Sequence, residues 1–311
     1  MGATAELIAD RGAASCSADF FRSAPFLRAE RVTHTLRVEA AAVAVALPVI
    51  VREVPGSELT DAISPYGYPG GALIGGGDPP EASEVDWSAS GLICAFVRER
   101  IGESPSLGGA HERSTVLVHD PKRERATRPR LAEQIRSNER RGWGVETIAG
   151  PEVADRDVDQ FAAIYEQTMH RARAAARYFF EPGYYRSILS FERSWLLIAR
   201  VAGTVPGAGA IAGLSDGVLH YYLGGTADAA LGESPFKNVV AAMLDLADEL
   251  GAPLNLGGGV SVGDGLESFK RGFANSEKPF CTHEIVCAPR EYARLAGGRE
   301  QGGFFPAYRA P

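Results

Sequence analysis

Runs of valine, isoleucine and leucine, separated by glycine-rich turns, predict an alternation of strands and helices along the 311-residue chain. Residues 1–30 read as helical or irregular. Two valine-rich runs at 31–39 and 43–52 predict a hairpin, and an apolar run at 85–101 predicts a helix. The remaining elements predicted in the first half are strands at 105–107, 114–119 and 143–148 and a helix at 128–141.

The second half shows stronger helical periodicity. Apolar residues from Val158 to Met169 recur at helical spacing, with Asp155 or Asp157 as the expected N-cap. A short helix at 183–191 and three strands at 195–201, 208–214 and 218–223 follow, and Asp216-Gly217 is a strong hairpin turn. A further helix is expected to begin with Ser234 as its N-cap and Pro235 in its first turn, and to end at Gly251.

The stretch Leu254–Phe273 carries the densest candidate chemistry. A short apolar strand breaks into three glycines, and a polar turn ends at Asp264, a candidate N-cap for the helix that follows. Glycine at position 258 lets the backbone approach a ligand closely. Lys270 and Arg271 in this helix suit a phosphate or a developing oxyanion. An ordinary strand–turn–helix connection with exposed basic residues is an equally good interpretation.

The two halves of the chain repeat a pattern. Each has a hairpin, a glycine-rich loop, an apolar helix and a short strand that ends in Leu-Gly-Gly, at 107–109 and at 256–258. A duplicated α/β unit explains the repeat economically, and chance similarity is the alternative. The predicted boundary is Gly150-Pro151, which gives domains at 1–150 and 151–311. The closing strand at 280–286 can return to the first domain.

Composition and charge narrow the class of protein. The chain is 45% hydrophobic and 23% charged, as expected for a globular protein, and its net charge of −7 argues against broad, nonspecific nucleic-acid binding. A basic run at 122–141 is the exception. Helical spacing places its Arg136 and Arg140 on one side, although most runs of this kind are solvated helix faces.

Other sequence features argue against secretion, a membrane span and a metal site. The N-terminus lacks the apolar core of a secretory signal, and no apolar run approaches the length of a membrane span, so a cytoplasmic protein is expected. The four cysteines and six histidines show no metal-ligand spacing. We therefore expect reduced thiols and no metal.

The order of elements in the second half resembles the GNAT acyltransferase fold, in which the loop before the helix at 235–250 carries the pyrophosphate of acyl-CoA. Here that loop reads GGTADAALGESPFKN and lacks the family's usual basic lead residue. A closer resemblance is to the FemA/FemB/FemX-like branch, whose members carry two GNAT-like units in tandem. The segments that resemble this branch are SPYGYPGGAL at 64–73, LGGTADAALGESPFK at 223–237 and LGGGVSVGDGLESFKRGF at 256–273.

The resemblance implies an α/β (α+β) fold with tandem GNAT-like domains, each a mixed, mostly antiparallel sheet flanked by helices. Its members transfer an amino acid from aminoacyl-tRNA to an amine, so the expected activity is amide formation on a small molecule or peptide precursor. Aminoacyl-tRNA is then a co-substrate, read at its acceptor end, and no cofactor is expected. Two alternatives are an acyl-CoA-dependent N-acetyltransferase of a small amine and a non-catalytic ligand-binding protein.

The resemblance also implies roles for particular residues. Lys270 matches the lysine of the family's Phe-Lys motif and is the expected catalytic residue, and the second domain is expected to bind the donor. Tyr221 and Tyr222 alternate along a strand, so at most one faces the site. The candidate substrate-binding residues are Tyr66, Tyr68, Arg171, Tyr222, Gly258, Asp264 and Arg271, and the candidate donor-binding residues are Ser234, Lys237, Arg136 and Arg140.

Overall fold

The computed structural model describes residues 2–102, 104–259, 263–298 and 304–310. The strands are β1 (Ala3–Ile8), β2 (His34–Glu39), β3 (Val43–Glu53), β4 (Thr60–Ile63), β5 (Ala72–Gly75), β6 (Val85–Asp86), β7 (Cys94–Arg98), β8 (His111–His119), β9 (Trp143–Ala149), β10 (Ser194–Val201), β11 (Ala208–Ser215), β12 (Val218–Thr226), β13 (Leu254–Gly257) and β14 (Ser276–Val286). The α-helices are α1 (Ala24–Ala29), α2 (Pro129–Arg140), α3 (Asp155–Arg171), α4 (Pro182–Leu189), α5 (Phe236–Leu250), α6 (Gly265–Arg271) and α7 (Pro289–Ala296). Among the described residues, no helix combines the length and apolarity needed to cross a lipid bilayer.

The chain divides into two compact units, and each is assembled from separate segments. Unit 1 contains Met1–Ser17, Phe21–Ser114 and Pro279–Pro311, and unit 2 contains Ala18–Phe20 and Thr115–Lys278. The expected return of the closing strand to the first unit is confirmed. The predicted boundary at residue 150 differs from this division, because β9, which precedes it, pairs antiparallel with β10 along its whole length and so belongs to the second sheet.

Unit 1 is built on a mixed sheet. β1, β2, β3 and β4 pair antiparallel in sequence order, β4 pairs parallel with β7, and β7 pairs antiparallel with β14. The predicted hairpin between the valine-rich runs is confirmed by the register of β2 and β3. Residues 1–30 contain a strand as well as a helix, because β1 completes its hydrogen bonds against β2.

The predicted helix at 85–101 is wrong. The structure has β6 and β7 there, separated by a short 3-10 turn that ends at Gly91 with φ of 69°. Residues 92–97 are all buried, because β7 lies inside the sheet with both faces covered. Such a strand shows a continuous apolar run, which periodicity alone cannot distinguish from a buried helix.

Unit 2 is an antiparallel meander with a parallel addition. β9, β10, β11 and β12 pair antiparallel, β12 pairs parallel with β13, and β13 pairs antiparallel with Leu117–His119 of β8. Ala208 and Ala210 of β11 belong to the apolar core that includes α5. A Cβ built on the intervening Gly209 would lie 3.0 Å from Phe161 of α3. Successive residues of a strand point to opposite faces, so α5 and α3 cover opposite faces of this sheet.

The same strand topology occurs in both units. In unit 1 the antiparallel strands β2, β3 and β4 lead to a parallel partner, β7, and then to the antiparallel β14. In unit 2 the strands β10, β11 and β12 lead to the parallel β13 and then to the antiparallel β8. Each parallel pair is only two residue pairs long. The predicted fold class, with a mixed and mostly antiparallel sheet flanked by helices, is confirmed.

The helix ends of unit 2 test the local predictions. Gly251 closes α5 with φ of 62°, and Asp264 caps α6 by accepting a hydrogen bond from the Glu267 N–H at 2.7 Å, as predicted. Ser234 is not the N-cap of α5, because it has φ of 53° and Pro235 takes the cap position. Ala154 rather than an aspartate stands at the cap position of α3. Residues 260–262 of the predicted polar turn lie outside the described residues.

Candidate active site in the second unit

The parallel strands β12 and β13 separate soon after they pair. Leu219 pairs with Leu254 and His220 with Asn255, after which β12 continues to Thr226 while β13 ends at Gly257. Their carboxyl ends therefore leave a gap between neighbouring strands. In open α/β sheets a ligand commonly binds just beyond the carboxyl ends of the strands. This gap is therefore the candidate ligand site of unit 2.

A buried pair of polar side chains lies where the two strands separate. The side-chain amide nitrogen of Asn255 is 3.1 Å from Nδ1 of His220, and its oxygen accepts a hydrogen bond from the Gly257 N–H at 2.8 Å. Burial lowers the pKa of His220 to about 3, so its ring is neutral and Nδ1 can accept from Asn255. Asn255 thereby fixes the turn at Gly257, whose φ of 76° suits glycine.

Lys270 reaches this turn from α6. Its ammonium group donates a hydrogen bond to the carbonyl oxygen of Gly258 at 2.8 Å and lies 5.5 Å from the centre of the Tyr221 ring. Only 8% of Lys270 is exposed. Burial lowers its pKa to about 8, and the nearby Asp264 carboxylate opposes that shift. Lys270 is therefore a buried amine whose charge can change near neutral pH, a property common in functional sites.

Aromatic rings form one wall beside Lys270. The Tyr221 ring packs against Phe236 at the start of α5, with 5.7 Å between ring centres, and Phe236 packs against Phe269 of α6 at 6.3 Å. A Cβ at Gly224 would lie 2.8 Å from the Tyr221 hydroxyl and 2.9 Å from the Phe236 ring. Glycine at 224 is therefore what allows the β12 backbone to lie against these two rings.

Tyr222 lies on the other side of β12. A register irregularity lets Ile211 pair with Leu223 and Ala212 with Tyr221, so Tyr222 is the extra residue of a bulge. Its hydroxyl is 2.5 Å from the Tyr184 hydroxyl, and its ring contacts Phe20 edge to face at 5.5 Å. Of the two adjacent tyrosines, the one beside Lys270 is Tyr221, although Tyr222 was the candidate taken from the sequence.

The remaining candidates in unit 2 separate into three groups. Gly258 and Asp264 join Lys270, the first through its carbonyl and the second as the cap of α6. Arg271 forms surface ion pairs with Glu267 and Glu277. Arg171 pairs with Asp228 in the loop at 227–235. Ser234 and Lys237 flank the start of α5. Arg136 and Arg140 are exposed on α2.

Part of the basic run stabilises the fold locally. Arg125 forms ion pairs with Asp245 and Asp248 of α5, and Arg128 donates to the Ser268 carbonyl of α6 at 3.3 Å. Lys237 has its pKa lowered by burial and, secondarily, by the positive charge of Arg130. Arg130, Arg136 and Arg140 are exposed cations of α2.

The tyrosine candidates of unit 1 are placed differently from each other. Tyr66 is 43% exposed, and its backbone N–H donates to Glu30 at 3.1 Å. The Tyr68 ring packs edge to face against Phe21 and Phe280 at 5.8 and 5.1 Å. Just before them, Ser64 follows β4, and its carbonyl accepts from Arg98 of β7 at 2.8 Å. In unit 1 an arginine therefore bridges the strand ends that correspond to the gap beside Lys270.

Sequence reasoning missed His220 and Asn255 as parts of the site. A signal was present, because an asparagine between two leucines in a short apolar strand has to find hydrogen-bond partners when it is buried. Its partner His220 is 35 residues away in sequence, and nothing local identifies it.

Comparison with known proteins agrees with this geometry. Residues 125–271 match the family model described as Acetyltransferase (GNAT) domain, a range that contains the split strands and Lys270. A search of the curated proteins found no significant match.

Several solved structures share the fold at low sequence identity. FemX superposes with a TM-score of 0.63 at 10% identity over 91% of this chain and 96% of that chain. L-PGS from Bacillus licheniformis gives a TM-score of 0.52 at 10% identity, over 81% of this chain and 84% of that chain. The C-terminal domain (DUF2156) of a putative lysylphosphatidylglycerol synthetase from Agrobacterium fabrum gives 0.51 at 13% identity, over 82% and 86%.

Proposed function

We propose that this chain, whose residues 125–271 form a GNAT acyltransferase domain, transfers an amino acid from aminoacyl-tRNA to the amine of a small molecule or peptide precursor. The observation that carries the proposal is the placement of Lys270 at the separated ends of β12 and β13, held by the Gly258 carbonyl. The acyltransferase class follows from the family model. The donor and the acceptor are the proposed part.

The proposed reaction needs a positively charged hydrogen-bond donor beside the acyl oxygen. The acceptor amine attacks the ester carbonyl, the new C–N bond forms, and the C–O bond to the ribose breaks. The proton that the amine loses ends on the ribose oxygen. In the tetrahedral intermediate between these two steps, the former carbonyl oxygen carries negative charge. A hydrogen-bond donor already in place stabilises that charge without reorganisation.

Lys270 has the properties that this role requires. With a pKa of about 8, it is mostly cationic at pH 7, and an ammonium group has three N–H bonds, of which one is directed at Gly258. Among the residues that the structure describes, no acceptor takes the other two, so they can serve a substrate oxygen. Burial strengthens such a charge–charge interaction because less water screens it.

The loop before α5 supports a donor other than acyl-CoA. A pyrophosphate bound at a helix N-terminus needs backbone N–H groups. Here the N–H groups of Ser234, Lys237 and Asn238 donate to carbonyls of residues 230–235, and Pro235 has no N–H. The carboxylates of Asp228 and Glu233 in the same loop are paired with Arg171 and Arg141, so these two arginines are already engaged.

One of the structures that share the fold is described as the C-terminal domain of a putative lysylphosphatidylglycerol synthetase. A synthetase that attaches an amino acid is in keeping with the aminoacyl donor proposed for this chain. The exposed arginines of α2 add a surface suited to RNA phosphates. A second candidate, transfer from acyl-CoA to a small amine, is favoured by the acetyltransferase description of the family model and by the cations Lys237 and Arg130 near the start of α5.

A transfer assay distinguishes the two donors. Purified protein is incubated with a panel of amines and either labelled aminoacyl-tRNA or labelled acetyl-CoA, with and without ribonuclease. We expect label in the amide product with aminoacyl-tRNA, and its loss after ribonuclease. Ribonuclease-resistant labelling from acetyl-CoA alone would replace the proposal with the second candidate.

The arginine surface of α2 has its own test. Reversing Arg136 and Arg140 to glutamate should raise the KM for aminoacyl-tRNA and flatten its salt dependence, by about 0.7–0.9 log units per tenfold salt for each lost phosphate contact. The matched control reverses Arg290 and Arg294, which are also exposed and four residues apart, on α7. Equal behaviour of the two double variants would show that α2 does not contact the donor.

A further inference from the structure

Three aromatic side chains beside Lys270 take no part in the bond-making and bond-breaking steps of the proposed reaction. They are Tyr221 of β12, Phe236 of α5 and Phe269 of α6, and together we call them the aromatic wall. Each of the three packs against the apolar core of unit 2 and stays partly exposed. A group of exposed apolar side chains on a protein surface commonly marks a binding site, so a ligand is expected to cover the aromatic wall.

The aromatic wall is a continuous surface. The ring centres of Tyr221 and Phe236 are 5.7 Å apart, and those of Phe236 and Phe269 are 6.3 Å apart, which are contact distances for aromatic rings. Leu266 lies one turn before Phe269 and Lys270 on the same side of α6 and is 42% exposed. It adds an aliphatic side chain to the same surface.

The aromatic wall begins within reach of the reacting carbonyl group. The Lys270 ammonium lies 5.5 Å from the centre of the Tyr221 ring. A carbonyl oxygen that accepts a hydrogen bond from this ammonium lies about 3 Å from it, and the C=O and C–Cα bonds add only about 1.2 and 1.5 Å. A side chain attached at that Cα therefore reaches the Tyr221 ring.

Connectivity decides which part of an aminoacyl-tRNA meets the aromatic wall. The amino acid side chain begins at the Cα, which is bonded directly to the acyl carbon. The terminal base is separated from the acyl carbon by the whole ribose ring. When Lys270 holds the carbonyl oxygen, the side chain is therefore the nearer of these two groups to Tyr221.

The chemistry of the aromatic wall favours one class of side chain. A leucine or phenylalanine side chain that covers the rings removes apolar surface from water, and glycine offers no such surface. The positive charge of Lys270 repels a lysine or arginine side chain. An aspartate or glutamate side chain would compete with the acyl oxygen for the same ammonium group.

We propose that the aromatic wall binds the side chain of the transferred amino acid and selects donors that carry leucine, phenylalanine or another large apolar residue. This inference rests on the proposed aminoacyl-tRNA donor and specifies the class of amino acid that the donor carries. The rings of the aromatic wall act as specificity-determining groups, while Lys270 stabilises the oxyanion whichever amino acid is bound.

Binding of one tRNA charged with different amino acids tests the proposal without an acceptor amine. The full chain is titrated in a filter-binding assay with the same tRNA in its leucyl, phenylalanyl, glycyl, lysyl and uncharged forms. We expect the leucyl and phenylalanyl forms to bind on the order of tenfold to 100-fold more tightly than the glycyl form, because each buries a large apolar side chain. The lysyl and uncharged forms should bind no better than the glycyl form.

Three variants locate the preference. Phe236→Ala should lower the affinity for leucyl-tRNA to that for glycyl-tRNA, and unchanged binding of glycyl-tRNA shows that this variant is folded. Phe236→Leu keeps an apolar side chain at this position and should retain most of the preference, so it decides the matter if Phe236→Ala does not fold. Phe304→Ala, which removes a 47% exposed aromatic side chain of unit 1, is the matched control and should bind as the wild type does.

The outcomes separate this inference from the function on which it rests. Absence of binding by every charged form would overturn both. Equal binding of the leucyl and glycyl forms would overturn the inference alone, and so would a preference that survives Phe236→Ala. Uncharged tRNA that binds as tightly as leucyl-tRNA would also overturn it, because the aromatic wall would then hold the terminal base.

Discussion

Replacement of Lys270 by methionine should raise the free energy of unfolding of this protein and lower its turnover. Methionine keeps the unbranched stem of lysine and discards the charge. The pKa of Lys270 is lowered from 10.5 to about 8. At 1.36 kcal/mol per pKa unit, the cationic form is therefore disfavoured in the folded protein by about 3 kcal/mol.

The lost hydrogen bond opposes this gain. The Lys270 ammonium donates to Gly258 at 2.8 Å, and a hydrogen bond from a charged group contributes about 1.5–3 kcal/mol. At pH 7 the variant should therefore be more stable than the wild type by up to about 1.5 kcal/mol. Turnover should fall on the order of 100-fold or more, as it does when one oxyanion donor is removed.

The pH dependence isolates the cause of this gain. The folded-state pKa of Lys270 lies below its unfolded value, so the unfolded chain binds more protons between pH 8 and 10.5. The penalty is complete below pH 8 and disappears as pH rises through 10.5. Over that window the wild type gains stability relative to the variant, and above it the variant should be the less stable protein.

Urea unfolding of both proteins at pH 7, 9 and 10.5 measures the difference, with the exposed Lys278 changed to methionine as the control. Lys278→Met should leave the unfolding free energy within about 0.5 kcal/mol of the wild type at each pH. A Lys270→Met protein that is less stable at pH 7 by a constant amount at all three pH values would refute the reasoning, because burial of the charge would then have no measurable cost.

Two further predictions concern the same turn. If Lys270 acts as a cation on the developing oxyanion, turnover should fall as pH rises through about 8 and the fall should be absent in Lys270→Arg; turnover that rises through this pH would make the neutral amine the active form. Asn255→Leu removes the side-chain partner of the Gly257 N–H and one of the hydrogen bonds of the His220 ring, so urea unfolding should show a loss of about 2–4 kcal/mol. The midpoint of the pH–turnover curve should also move, since the Gly258 carbonyl that holds Lys270 is no longer fixed; an unchanged midpoint would reduce Asn255 to a purely structural role.

Local chemistry made parts of this fold predictable. Asp216 and Gly217 take φ of 49° and 72° in the hairpin turn that their sequence predicts, and Asp264 caps α6. Lys270 could be singled out because it follows a triple glycine in a motif that resembles a known family. These features depend on a few adjacent residues, whose chemistry is visible in the sequence.

Features that depend on distant pairing were not predictable in the same way. Residues 105–107 resemble the strand before Gly257, yet the strand in the corresponding topological position is β7, because partners in the sheet decide which apolar run becomes the parallel strand. The bulge that sends Tyr222 away from Lys270 arises from the pairing of β12 with β11. No alternation rule applied to one strand reveals such an insertion.

The segmented construction of unit 1 has a consequence for how the protein is made. Its sheet includes β14, whose unit-1 residues begin at Pro279, whereas β7, the strand that β14 covers, ends at Arg98. Residues 115–278 must be synthesised in between, which takes roughly 10–30 s at about 5–20 residues per second. During that interval the apolar edge of β7 is unpaired on the nascent chain, a condition that favours aggregation.

Limited proteolysis of ribosome-bound chains stalled after residue 278 would measure that exposure, and protection of residues 92–98 at this stage would contradict it. The first unit to begin emerging from the ribosome is thus the last to be completed. A chain that terminates early loses the closing strand of unit 1 even when every residue of unit 2 has been made.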